Sequence, residues 1–153
     1  HILTHARRRL TAEMLDDLIT HTAGSPNPAV TGGAMRELDN RIPNTTLDAF
    51  DRCQRDGRTP DESPDGEGLT AAIHRLAAPE IQKRIAAGAA TLASTNSSLE
   101  SITRQLYQRG LTRPVTQAEW KILQKMQYQQ PRRQAIEDTL WVIINHPEFG
   151  GRP

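Results

Sequence analysis

Residues 97–147 read SSLESITRQLYQRGLTRPVTQAEWKILQKMQYQQPRRQAIEDTLWVIINHP, and this stretch decides the fold class. A serine or threonine followed three residues later by glutamate is a capping box, which marks a helix N-terminus. Such boxes begin at Ser97 and at Thr116. Large apolar residues then recur at helical spacing, and the connections between the segments are short. The stretch therefore predicts consecutive antiparallel helices.

The third helix of this unit is predicted to begin at Pro131, because proline suits the first turn of a helix, and to end at Pro147. Gly110 is predicted to end the first helix, since glycine is common just past a helix C-terminus. The apolar positions assigned to these helices are Leu99, Ile102, Leu106, Tyr107, Trp120, Leu123, Ile136, Leu140, Ile143 and Ile144.

Helical patterns also occur in the N-terminal half. Thr11 is the predicted N-cap of a helix that reaches about residue 22, and Gly24 stops it. Residues 24–44 contain three prolines and three glycines and are predicted to form a long loop. Residues 46–52 are predicted to be a short helix. Residues 54–68 carry no large apolar side chain, which predicts a second, exposed loop.

Two further helices are predicted before the C-terminal unit. Residues 69–76 carry an apolar stripe at helical spacing, formed by Leu69, Ala72, Ile73 and Leu76. Pro79 begins the next helix, and its Ile81 and Ile85 are expected to face inward. Gly88 and the polar residues 94–96 are expected to end it.

These elements predict an all-α fold. We expect one irregular helical domain over residues 1–153, with a C-terminal three-helix unit and two long loops. Its parts are an N-terminal helix with an ordered loop (1–53), an exposed polar loop (54–68) and a helical bundle (69–153).

Composition excludes some classes of function. The 153 residues are 36% apolar and 4% aromatic, and the net charge is +1. A nearly neutral chain with one short basic run, at residues 7–9, does not predict nucleic-acid binding. No apolar run approaches the roughly 20 residues of a membrane span. We therefore expect no nucleic acid partner and no membrane span.

Several stretches of the chain together match a known family. They read RRRLTAE at 7–13, RIPNTTLDAF at 41–50, LTAAIHRL at 69–76, LTRPVTQAE at 111–119 and NHPEF at 145–149. In these residues the chain resembles, over nearly its whole length, the planctomycete-type C-terminal domain of unknown function that occurs in large exported proteins with cytochrome c-like modules. The resemblance implies an exported protein, periplasmic or extracellular, and a larger parent protein or assembly around this domain.

The chain departs from the family at two places. Asp51-Arg52-Cys53 stands where the family has a Gly-Arg-Pro turn, and residues 57–60 stand where it often has a Cys-x-Cys segment. A metal or redox role of those cysteines therefore does not carry over. The haem of the family belongs to an upstream module and is not assigned to these residues.

The ionisable side chains suggest no assembled reactive centre. His1 and His5 lie four apart, as metal ligands on a helix do, but the HExxH pattern is missing. The acidic residues in 61–67 do not follow the EF-hand spacing. Cys53 is the single cysteine, without a nearby His–Asn arrangement. We interpret the two histidines as part of a terminal tail, the acidic residues as a solvated loop and Cys53 as a plain thiol. We therefore predict no catalytic residue, no cofactor and no metal.

Two histidines have specific expectations. His74 lies within the stripe 69–76 and is predicted to make a buried hydrogen bond, with a catalytic base as the alternative. His146 is predicted to be a cation at a helix C-terminus, where the helix dipole favours positive charge.

The predicted function is that of a non-catalytic structural or protein-interaction domain in an exported multidomain or multisubunit assembly. A flat apolar contact area around Leu140 and Ile144 would favour it. The alternatives are an accessory domain of an extracellular enzyme or of a haem-associated electron-transfer protein, and a carbohydrate-binding module. A pocket lined by His74 with Asp48 or Arg52 would favour an enzyme, and exposed tryptophan faces would favour carbohydrate. The candidate interaction or structural residues are Asp48, Phe50, Arg52, His74, Tyr107, Arg113, Trp120, Trp141 and Phe149.

Overall fold

The computed structural model describes residues 10–28, 32–34, 43–50 and 69–150. Within these ranges the chain forms seven α-helices and no β-strand, so the protein is all-α, as the sequence predicts. The helices are α1 (Ala12–Ala23), α2 (Thr45–Ala49), α3 (Leu69–Ala77), α4 (Pro79–Ala93), α5 (Leu99–Leu111), α6 (Gln117–Gln127) and α7 (Arg132–Ile144). The predictions that fall outside these ranges concern His1, His5, residues 7–9, Arg52, Cys53 and the loop 54–68.

Local capping signals set several helix ends as predicted. Thr11 caps α1 by accepting a hydrogen bond from the Met14 amide at 3.3 Å. Gly24 ends α1 with a φ of 68°, a left-handed conformation that glycine adopts without strain. Thr116 and Glu119 form both halves of the predicted capping box at the start of α6.

One of the predicted caps is wrong by a residue. Ser98, not Ser97, caps α5, and its hydroxyl accepts a hydrogen bond from the Ser101 amide at 3.1 Å. Glu100 does not complete a capping box and instead pairs with Arg104 at 2.7 Å, one helical turn further on.

Two of the three glycines predicted to end helices lie inside them. Gly88 is within α4, which continues to Ala93, and a side chain at this position would overlap the backbone carbonyl of Ala23. Gly110 is within α5, and a side chain there would overlap Ile143. Both glycines therefore serve close helix contacts rather than helix termination.

The core lies around α7. This helix packs against α4 and α5 and also contacts α1 and α6, so the predicted C-terminal three-helix unit is joined to the N-terminal half. The largest fully buried apolar side chains are Ile19, Leu47, Ile81, Ile85, Ile102, Leu106, Tyr107, Ile136, Leu140, Ile143 and Ile144. Leu140 and Ile144 are thus core residues, so the surface that would favour scaffolding does not lie on these two side chains.

Candidate functional site

The most unusual surface of the described part of the chain is one side of α3. Leu69 is 77% exposed, Ile73 54% and Leu76 45%. With about 100° of rotation per residue, these three side chains fall within roughly 60° of one another around the helix axis. The apolar stripe seen in the sequence therefore exists, but it faces solvent.

The opposite side of α3 packs on the rest of the protein and is the more polar side. Ala71 is buried there, and His74 and Arg75 are partly buried beside it. Helices at the surface of a globular protein usually show the reverse arrangement, with the apolar stripe toward the core. α3 is therefore an inverted amphipathic helix.

The borders of the exposed stripe carry no charge. Thr70, Ala72 and Ala77 flank it, and all three are small or neutral. The outward half of α3 consequently presents no ionisable side chain over its nine residues.

Trp141 extends this apolar surface from α7. Its indole Nε1 donates a hydrogen bond to the backbone carbonyl of Leu76 at 3.4 Å, and the side chain remains 38% exposed. We call the surface formed by Leu69, Ile73, Leu76 and Trp141 the α3 face. Trp141 is also one of the candidate interaction residues predicted from the sequence.

Directly beneath the α3 face, His74 joins α3 to α2. Its Nε2 lies 3.2 Å from the Thr46 hydroxyl, and its ring meets that of Phe50 edge to face, with centroids 5.5 Å apart. Burial lowers the pKa of His74 below its ordinary value of 6.5, although the negative charges of Glu80 and Asp16 act in the opposite direction. The predicted hydrogen bond of His74 is thus present, in a partly buried setting.

Asp48, which the sequence analysis considered together with His74 and Arg52, belongs to α2. Asp48 is exposed, and its Oδ2 accepts a hydrogen bond from the Asn44 amide at 3.3 Å, which supports the start of α2. Arg52 lies outside the described ranges.

A cavity of about 330 Å³ lies elsewhere, beside α1. Its lining residues are Asp16, Asp17, Thr20, Pro26, Asn27, Gly32, Gly33 and Ala34. Asp17 Oδ1 accepts a hydrogen bond from the Ala34 amide at 2.6 Å, which fastens residues 32–34 to α1. Neither His74 nor Asp48 lines this cavity.

Sequence reasoning missed a buried ion pair next to this cavity. Arg84 of α4 donates to Asp16 Oδ1 at 2.5 Å, and the two side chains are only 3% and 1% exposed. Arg84 also donates to the Thr20 hydroxyl at 2.6 Å and to the Ser25 carbonyl at 3.3 Å. Arg84 stands three residues after Ile81, within the stripe predicted to face inward. This position is the sequence feature that could have indicated a buried arginine.

A second ion-pair network fixes the C-terminal end of the bundle. Arg113 binds Glu119 at 2.7 Å and Glu148 at 2.5 Å, and its guanidinium carbon lies 5.8 Å from the centroid of the Tyr107 ring. The hydrogen bonds from Arg113 lower the pKa of Glu119 to about 2. Burial raises the pKa of Tyr107. The network ties the turn after α5 to the segment after α7.

His146 and Phe149 belong to the same end of the bundle. His146 Nδ1 lies 3.1 Å from the Glu148 amide nitrogen, and its Nε2 lies 3.8 Å from Glu119 Oε1. That His146 is a helix-end cation stays a prediction. Phe149 is buried and packs where Gly110 leaves space.

Trp120 lies on α6, close to Arg104 of α5. It is partly buried, and the guanidinium carbon of Arg104 lies 6.0 Å from its ring centroid. Ile122, on the same helix, is 67% exposed, and the charged residues Glu119, Lys121 and Lys125 lie three before, one before and three after it in the sequence. It is thus an isolated apolar side chain, in contrast to the continuous α3 face.

The described residues contain no group of three or more histidine, cysteine or acidic side chains placed to hold a metal ion. None of the helices in those ranges combines the length and the apolar character needed to cross a bilayer. Comparison with protein-family models, with curated proteins and with solved structures finds no match to this chain. Membership of the planctomycete-type family therefore stays a prediction from the residues quoted above.

Proposed function

We propose that this domain is a non-catalytic protein-interaction module that binds a protein partner through the α3 face. The observation that carries the proposal is the inverted orientation of α3, with Leu69, Ile73 and Leu76 toward solvent and His74 toward the core. Contiguous exposed apolar surface of this kind is typical of a protein contact site.

The free energy of burying apolar side chains also supports a partner at the α3 face. Full burial of a leucine or isoleucine side chain stabilises a protein by about 1.5–3 kcal/mol. α3 gains little of this in the isolated chain, because its large apolar side chains stay in water. A partner that covers the α3 face would recover the missing stabilisation, and burial of Trp141 would add to it.

The part of the proposal that concerns location rests on the resemblance alone. We propose that the partner belongs to an exported multidomain or multisubunit assembly, because the family that the chain resembles occurs in large exported proteins. The uncharged α3 face is compatible with a stable contact inside such an assembly, since the cores of protein interfaces are depleted of charged residues.

A photo-crosslinking experiment tests the interaction. A benzophenone maleimide is attached to Ile73→Cys in a Cys53→Ser background, and to Ile122→Cys as the matched control, because Ile122 is equally exposed but isolated. After irradiation in an extract of the native host, we expect a discrete protein adduct from position 73 and none from position 122.

The captured protein is then purified and titrated against the domain. Saturable binding that weakens at least tenfold in Leu69→Asp supports the proposal. Equal adducts at the two positions, or binding that is indifferent to Leu69→Asp, would contradict it.

A further inference from the structure

We draw no further inference here: the strongest candidate, the cavity beside α1 that Asp16 and Asp17 line, holds two carboxylates that Arg84 and the Ala34 amide already bind, and the second Asp16 oxygen is closed to solvent, so nothing in the described residues points to a ligand there.

Discussion

At the scale of single residues, Gly88 shows how a packing requirement can override helix preference. Alanine is normally better than glycine inside a helix by about 1 kcal/mol. At Gly88, however, a β-carbon would overlap the carbonyl of Ala23, which is backbone and has little freedom to move. The glycine is the residue that lets α4 and the end of α1 approach.

We expect Gly88→Ala to lower the free energy of unfolding by roughly 1–3 kcal/mol, the usual cost of forcing extra volume into a packed contact. The measurement is urea denaturation followed by circular dichroism. Ala87→Gly, at an exposed neighbouring position, is the control and should cost about 1 kcal/mol through helix propensity alone. Stabilisation by Gly88→Ala would show that the helices are further apart than described.

His74 makes the stability of the protein depend on pH. Its pKa is lowered by burial in the folded state, so the unfolded state binds the proton more tightly. Stability is therefore full above the unfolded value of about 6.5 and falls as the pH decreases from there toward the folded pKa. Below the pKa of His74 in the folded state, the folded and unfolded states both carry the proton, so His74 no longer makes stability depend on pH.

Denaturant midpoints measured at pH 7.5 and pH 5.5 check this sign. We expect a lower midpoint at pH 5.5, and a smaller difference between the two pH values in His74→Gln. His21→Gln, which changes an exposed histidine at the end of α1, is the matched control. A pH difference that is unchanged by His74→Gln would contradict the assignment.

At the scale of helices, the Asp16–Arg84 pair connects α1 to α4. Both side chains are almost completely buried, and Arg84 also binds the Ser25 carbonyl and the Thr20 hydroxyl. Removal of one member of a buried pair leaves the other charge without compensation, which commonly costs about 3–5 kcal/mol. Removal of both is far less harmful.

We therefore expect Arg84→Met to destabilise the protein strongly, and Arg84→Met combined with Asp16→Leu to be more stable than Arg84→Met alone. A double-mutant cycle in urea measures the coupling between the two sites. Additive losses from the two substitutions would contradict a direct interaction between Asp16 and Arg84.

Helix ends divide clearly into those that the sequence could predict and those that it could not. The sequence predicts the caps at Thr11 and Thr116 because a cap is a contact between residues three or four apart. It predicts the start of α4 because proline suits the first position of a helix. Gly88 and Gly110 were misread as stops, because their role is to admit a distant helix. Arg84 and Asp16 are 68 residues apart, and no local pattern joins them.

At the scale of the whole molecule, the same limit explains why the sequence does not tell which apolar stripe is exposed. Helical periodicity revealed the stripes of α3 and α7 with equal clarity, but a period does not tell which stripe meets the core. α7 is surrounded by α4, α5, α1 and α6, whereas α3 lies at the border of the bundle against α2 and α4. Leu140 is consequently buried and Ile73 is not, although the two stripes look alike in sequence.

This difference in burial yields the prediction on which the proposed function depends. Leu140→Ala should lower the free energy of unfolding by about 2–5 kcal/mol, because it leaves a cavity in a closed core. Ile73→Ala should change it by no more than about 1 kcal/mol when measured at high dilution, since 54% of the residue is already exposed. If Ile73→Ala costs as much as Leu140→Ala at high dilution, the stripe of α3 is part of the core and there is no free face for a partner to bind.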